Sequence, residues 1–274
     1  MVFGNFIYCS NSLSKMAKIL IRKQKKEYIP ELEKEVITIQ ALKYYVTDLN
    51  KDFHTKYGII FKKDLNLEDG TVIKSNTGKE FVIFTAQFSD KFKKLKRAPQ
   101  TIIQKDIGAI IAETGLGKND EVLDAGTGAG ALACALANIC HKVYSYETRK
   151  EHLEVARQNI KTLNITNVIL RNRDITKEVQ EKNINLATLD IPEPWKATNS
   201  VKKALKIGAY LLAYTPTILQ ASNFAEEIKK HDEFLFEKTI EIIQRKWIVD
   251  GKRLRPDSAE IGHTAFLTFV RKIK

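Results

Sequence analysis

The sequence predicts an α/β fold with a mostly parallel sheet, preceded by a small all-β domain. Three observations carry that expectation. From Ala98 onward, β-prone runs alternate with helical segments. The run Glu121-Val-Leu-Asp-Ala-Gly-Thr-Gly-Ala-Gly130 reads as a buried strand and a glycine turn, and an alanine-rich helix follows it. Residues 16–90, by contrast, hold only short β-prone runs separated by turn residues.

In chain order, residues 1–15 read as a loosely ordered extension, because patterning begins at Met16. The β unit over 16–90 has runs at Lys18–Arg22, Val36–Ile39, Lys43–Val46, Ile59–Phe61, Thr71–Lys74 and Phe81–Phe84. Glu68-Asp-Gly70 and Asn76-Thr-Gly78 supply turns, and six such strands suit a compact barrel or sandwich. The basic stretch 91–97 reads as a linker opening the second domain, residues 91–274. There, helix Thr101–Thr114 precedes strand Val122–Ala125, and strand Val143–Glu147 leads to a helix over Lys150–Leu163. Val168–Arg171 is the next strand, and Leu186–Ile191 is stopped by Pro192 and Pro194. A helix over Val201–Leu205, a strand Ala209–Tyr214 and a helix Thr217–Lys230 follow. Glu237–Ile243 and Thr264–Arg271 are β-prone runs joined by a long basic loop, which lets the last strand insert antiparallel.

Composition narrows the class. With 274 residues, 43% hydrophobic and 28% charged, the chain is an ordinary soluble globular protein. No apolar run approaches the roughly 20 residues of a membrane span, and the start is a poor signal peptide. Cys9, Cys134 and Cys140 are odd in number and lack C-x-x-C spacing, so neither a metal site nor a disulfide framework is expected. A reducing, cytoplasmic location follows. The formal charge of +12 and pI near 9.4 point to a polyanionic partner, nucleic acid before membrane. The bland account is a solvated surface from a hot-living host. Lys91 to Arg97, and Arg245-Lys246 with Lys252, Arg253 and Arg255, flank the proposed site in sequence.

The glycine run also carries the chemistry. Gly126, Gly128 and Gly130 let the backbone turn sharply and approach a ligand, with Thr127, Ala129 and Ala131 completing the turn. The spacing is not that of a dinucleotide fingerprint. Asp124, two residues ahead of Gly126, would repel a pyrophosphate but suits a ligand with positive charge. S-adenosylmethionine, with its sulfonium and ammonium groups, is such a ligand. The alternative is a generic turn with no ligand.

Four acids mark successive strand ends: Asp124, Glu147, Asp174 and Asp190. Asp124 is assigned to the cofactor's amino-acid end, Glu147 to its ribose and Asp174 to its adenine amino group. Asp190 opens Asp-Ile-Pro-Glu-Pro-Trp195, where a carboxylate can accept from an amino group and stabilise charge developing on a ring. Its bland role is a turn cap. Trp195 suits either stacking on a base or packing in the core.

These residues resemble the tRNA adenine-N1 methyltransferases that modify T-loop adenosines 57 and 58, in their archaeal and bacterial form. The matching pieces are Phe53-His-Thr-x-x-Gly58, Arg97-x-Pro-Gln100, Lys105-Asp106, Asp124 to Leu132, Ser145-Tyr-Glu147 and Asp174-Ile175. They continue with Leu189 to Trp195, Tyr214-x-Pro-x-x-x-Gln220, Arg255-Pro256 and Gly262-His-Thr264. The resemblance implies a class I methyltransferase sheet whose last strand is antiparallel, S-adenosylmethionine as cofactor, tRNA as partner and a homotetramer. It implies cofactor contacts from Gln100, residues 126–131, Glu147, His152, Asp174 and Asp190. Asp190 is the implied catalytic residue, with Arg97, Trp195, Arg255 and His263 toward the RNA. One departure is Ile103-Gln104, where the family has an aromatic or His followed by Pro. Two other functions fit less well: a non-catalytic tRNA-binding subunit, opposed by the intact turn, Glu147 and Asp190, and a methyltransferase for a small molecule or protein, opposed by the charge and the added β unit.

Overall fold

The computed structural model describes residues 17–39, 41–96, 101–251, 253–259 and 262–274, so the extension expected over 1–15 lies outside the described residues. The chain divides into two compact units, Met1–Lys94 and Leu95–Lys274.

The first unit holds β1 (Lys18–Arg22), β2 (Lys25–Ile29), β3 (Lys34–Ile39), β4 (Leu42–Val46), β5 (Phe53–Thr55), β6 (Gly58–Ile60), β7 (Val72–Lys74), β8 (Glu80–Thr85) and the short α1 (Phe88–Phe92). An antiparallel sheet in the order β4-β1-β8-β7 is joined by the hairpins β2–β3 and β5–β6. The expected β unit is thus built from one four-stranded sheet and two hairpins. Leu20, Ile60, Leu65, Phe81 and Ile83 form its core. Two strands escape a hydropathy reading: β2 is the charged run Lys-Lys-Glu-Tyr-Ile, held by its partner β3, and β5 is only three residues long. The first residues of the expected linker belong to this unit. Lys43 reaches Asp90 of α1 at 2.5 Å, and Lys94 lies 5.9 Å from the Tyr45 ring centroid.

The second unit runs through α2 (Gln104–Thr114), β9 (Glu121–Ala125), α3 (Ala131–Ala137), β10 (Lys142–Tyr146), α4 (Lys150–Leu163), β11 (Val168–Arg171) and β12 (Ile184–Leu189). It continues with α5 (Thr198–Lys202), β13 (Leu205–Thr215), α6 (Ile218–Ile228), β14 (Phe234–Glu241), β15 (Trp247–Asp250), β16 (Arg253–Pro256) and β17 (Phe266–Lys272). Seven strands form one sheet in the order β11-β10-β9-β12-β13-β17-β14. β9 to β13 pair in parallel, whereas β17 is antiparallel to both β13 and β14. Strands buried on both faces need continuous apolar runs, and Leu123, Val143, Leu186, Leu189, Leu211 and Leu212 supply them. All seven residues of α3 are buried, which its small Ala and Cys side chains permit.

Two details differ from the sequence expectation. The helix near residue 200 is α5, three residues earlier than the expected Val201–Leu205, because Leu205 already pairs with Ile184 as the start of the eleven-residue β13. The long basic loop contains the hairpin β15–β16, turning at Asp250-Gly251. The order of the sheet reverses between β9 and β12, and at such a switch point a crevice opens beyond the carboxyl ends of the strands.

Candidate active site

The glycine turn is strapped across that crevice by backbone hydrogen bonds. The Gly126 and Thr127 N–H groups donate to the Tyr146 carbonyl at 3.0 and 3.2 Å, and the Asp190 N–H donates to the Ala125 carbonyl at 2.8 Å. β9 and β12 thus meet with no room for a side chain: a Cβ on Gly126 would stand 1.9 Å from the Asp190 carbonyl oxygen. Gly128 is different. Its φ is +51°, and a Cβ there would meet only the Gly126 carbonyl, at 3.8 Å. The turn is closed on the protein side at Gly126 and open at Gly128, which is the cradle a ligand needs. From behind, the buried Asn159 amide of α4 donates to the Ala129 carbonyl at 2.8 Å and to the Lys96 carbonyl at 2.9 Å.

Parallel register aligns Ser145, Asp124 and Thr188 in one row across β10, β9 and β12. Ser145 Oγ donates to Asp124 at 2.6 Å and Thr188 Oγ1 donates to its other oxygen at 2.8 Å. Asp124 is only 1% exposed, and burial pushes its pKa up despite those two hydrogen bonds. Thr127 turns inward as well, with Oγ1 2.7 Å from Ser145 Oγ. Asp124 and Thr127 therefore lie beneath the turn, with each Asp124 oxygen already accepting one hydrogen bond in the buried row.

Two residues further along, on the same face, stand Glu147 and Asp190. Glu147 accepts from the Gly128 and Arg149 N–H groups, both at 3.0 Å. Burial opposes its ionisation, but those N–H groups, the Arg149 guanidinium and His152 outweigh burial and hold its pKa below the ordinary value. Each carboxylate oxygen retains capacity for another donor. His152 Nδ1 is buried without a hydrogen bond, 3.7 Å from Glu147.

Asp190 is the outlier. Among the described residues its carboxylate has no hydrogen bond and no ion pair. Burial, then the charges of Asp124 and Glu147, push its pKa up to about 7. A turn cap would have spent these oxygens on nearby N–H groups. The loop after it is held instead by Gln220 of α6, whose Nε2 donates to the Pro192 carbonyl at 2.9 Å.

A cavity of about 400 Å³ opens beside these groups, lined by Gly126, Tyr146, Glu147, Asp174, Ile191 and Pro192 among others. Asp174 keeps its local role, since one oxygen accepts from the Thr176 N–H at 2.9 Å and hydroxyl at 2.7 Å, while the other is uncommitted. Trp195 packs against the core of the sheet, the second of its two expected roles. Arg255 is exposed on β16. His263 bridges Glu241 at 2.6 Å and the Pro216 carbonyl at 2.8 Å, and both acceptors raise its pKa. Gln100 and Arg97 lie outside the described residues. The residues that sequence reasoning left without a role are Lys105, Asp106, Tyr214 and Thr264, which meet in one buried cluster.

The reversed last strand, the glycine turn at the switch point, the acid closing β10 and the unpartnered acid closing β12 define a class I S-adenosylmethionine-dependent methyltransferase. Residues 92–260 match the family described as the tRNA methyltransferase complex GCD14 subunit. The chain is 31% identical over 268 residues, 87% of its length and 94% of the other's, to the tRNA (adenine(57)-N(1)/adenine(58)-N(1))-methyltransferase TrmI of Methanocaldococcus jannaschii. It is 30% identical over 226 residues, 81% of its length and 88% of the other's, to the tRNA (adenine(58)-N(1))-methyltransferase TrmI of Thermus thermophilus. Among solved structures, the tRNA (m1A58) methyltransferase TrmI of Aquifex aeolicus superposes with a TM-score of 0.74 at 26% identity, covering 96% of this chain and 100% of that one. A Thermotoga maritima structure described as a SAM-dependent O-methyltransferase gives 0.77 at 26% identity, covering 96% and 95%. The chain belongs to the tRNA adenine-N1 methyltransferase family.

Proposed function

We propose that this enzyme transfers a methyl group from S-adenosylmethionine to N1 of an adenosine in the tRNA T-loop. The observation that carries the reading is the unpartnered Asp190 carboxylate beside the glycine turn. S-adenosylmethionine supplies an electrophilic methyl group on a sulfonium. The residues fit it: the open side of Gly128 leaves space, the spare acceptor sites of Glu147 suit ribose hydroxyls, and the uncommitted Asp174 oxygen suits an adenine amino group. Asp124 lies buried beneath the turn toward the cofactor's expected amino-acid end, and His152 Nδ1 adds a polar atom beside Glu147.

Asp190 then works on the acceptor base. An ionised carboxylate here accepts a hydrogen bond from the exocyclic amino group, orients the N1 lone pair and stabilises the positive charge that N1 gains. A base in a duplex or a structured loop must be extruded to reach such a crevice. Position 58 is the target shared by the names of both relatives, and 57 is the second candidate. Among the described residues no group of three or more His, Cys, Asp and Glu side chains could hold a metal, and no helix is long and apolar enough to cross a membrane. The basic residues of the 245–255 hairpin support RNA binding, and tRNA as substrate together with the free thiols of Cys134 and Cys140 supports a cytoplasmic location.

The same hairpin supports assembly into a homo-oligomer, a tetramer by family resemblance. Its register places Trp247 and Pro256, then Val249 and Leu254, on one face, and Trp247, Val249 and Leu254 are 58, 76 and 64% exposed.

The reading is tested by a mass-spectrometric nucleoside map of an unmodified tRNA transcript after incubation with enzyme and cofactor. The expected product is 1-methyladenosine in the T-loop, with Asp190→Ala retaining tRNA affinity and losing transfer by at least ~100-fold. An Asp190→Ala variant within tenfold of wild type would make Asp190 a bystander.

A further inference from the structure

Lys105 and Asp106 open α2, Tyr214 lies near the end of β13, and Thr264 leads into β17. Lys105 Nζ donates to Asp106 Oδ1 at 2.7 Å and to Thr264 Oγ1 at 2.6 Å. Thr264 Oγ1 donates to Asp106 Oδ2 at 2.8 Å, and the Tyr214 hydroxyl donates to the same oxygen at 3.0 Å. Lys105 and Asp106 are both buried.

The direction of every proton in this cluster is fixed by what each group can do. An ammonium only donates and a carboxylate only accepts. Thr264 receives from Lys105 and must pass its own proton to Asp106. Tyr214 meets the same carboxylate and must also donate. Its phenolic oxygen, which the Thr264 hydroxyl also approaches, is left with acceptor capacity and no proton to offer.

That oxygen belongs to the site. Leu189 of β12 is in parallel register with Ala213 of β13, so the next residues, Asp190 and Tyr214, stand side by side at the carboxyl ends of neighbouring strands. Side-chain alternation puts both on the face that carries Thr188 and Asp124. Asp190 is close enough for its charge to contribute to the raised pKa of Tyr214, after burial and Asp106.

We propose that Lys105 and Asp106 are positioning residues that set the polarity of Tyr214: they take its proton, so that Tyr214 and Asp190 present two acceptors side by side and select a base edge with an exocyclic amino group. An amino group has two N–H bonds to give, whereas a base carrying a carbonyl at that position meets two acceptors and is rejected. The inference rests on the reading of the acceptor as adenine and names what enforces it.

The test compares tRNA transcripts bearing adenosine or purine ribonucleoside, which lacks the amino group, at the target position. Each is assayed with wild type, Asp106→Asn, Lys105→Met and Lys105→Arg. The intrinsic difference in N1 reactivity cancels when variant and wild-type ratios are compared. The amide introduced by Asp106→Asn can donate to Tyr214 and turn its proton toward the base. The preference for adenosine in kcat/KM should then fall about tenfold, the worth of one hydrogen bond, with KM for the cofactor unchanged. Lys105→Met should shift the preference in the same direction and Lys105→Arg should restore it. Equal losses on both RNAs, with the ratio unchanged in Asp106→Asn and Lys105→Met, would show a merely structural cluster and overturn the proposal. The Lys105 pair keeps the test decisive if Asp106→Asn fails to fold. Wild type that leaves adenosine unmethylated at N1 overturns the underlying function and this inference with it.

Discussion

Alanine at Gly126 and alanine at Gly128 are the same change two residues apart, and the structure assigns them opposite consequences. At Gly126 the new Cβ falls 1.9 Å from the Asp190 carbonyl oxygen, 2.7 Å from its carbon and 3.3 Å from Ile191 Cγ2. Relief requires about 1 Å of movement in the backbone that carries Asp190, and φ of +90° adds strain of its own. Overpacking costs roughly 1–3 kcal/mol and a left-handed non-glycine residue a further 1–2, so about 2–5 kcal/mol is expected. At Gly128 only the conformational cost of roughly 1–2 kcal/mol applies, because the nearest atom is 3.8 Å away. For a unit of this size a kcal/mol moves Tm by about 2–4 °C, which gives decreases near 10 °C and near 4 °C respectively. Cofactor binding should separate the variants in the other sense. A methyl group on the open side of the turn occupies ligand space, so Gly128→Ala should fold and lose at least ~10-fold in S-adenosylmethionine affinity. Thermal denaturation and titration calorimetry read both quantities. If Gly128→Ala binds as wild type does, the cofactor does not sit on the open face of the turn.

Two further outcomes follow from charge. Asp190, with a pKa of about 7, should give a rate that rises with pH through neutrality. Because its folded pKa exceeds the unfolded value, the fold disfavours the ionised form, and stability is lost as pH rises from about 4 to about 7. The ceiling on that cost is about 4 kcal/mol, and Asp190→Asn should therefore melt above wild type at pH 8 but alongside it near pH 4. Matching melting curves at both pH values would refute the raised pKa. Separately, reversing Arg253 and Arg255 to Glu should weaken tRNA binding and flatten its salt dependence, by roughly 0.7–0.9 for each phosphate no longer neutralised, with cofactor affinity intact. An unchanged slope would return the charge of the hairpin to surface solvation.

The part of this molecule that is local in sequence was legible there. The glycine turn, the acids at the strand ends and the alternation of strands and helices each occupy a few consecutive residues and follow from backbone sterics and burial. The direction of each carboxylate was not. Asp124 and Asp190 both end buried strands after apolar residues, yet Ser145 and Thr188 claim the first and nothing claims the second. That difference depends on cross-strand register, which a single strand does not encode. The cluster on Asp106 was out of reach for the same reason, since Tyr214 and Thr264 lie 108 and 158 residues away. The β15–β16 hairpin, by contrast, carried a readable signal: Trp-Ile-Val ahead of Asp250-Gly251 is a strand followed by a turn. The surrounding basic residues masked it as loop.

The place of β17 has a consequence for the order in which the enzyme comes into being. It follows every other strand of its sheet in the chain, yet it sits inside that sheet, between β13 and β14. The strands bearing the glycine turn, Glu147 and Asp190 leave the ribosome much earlier. Until β17 arrives, one edge of β13 stands bare, a template for pairing with the wrong partner. Thr264 arrives with β17, so the nascent chain already holds the cavity residues, Lys105, Asp106 and Tyr214 before it gains the hydroxyl that links Lys105 to Asp106. The cluster on Asp106 is complete only once β17 has taken its place in the sheet.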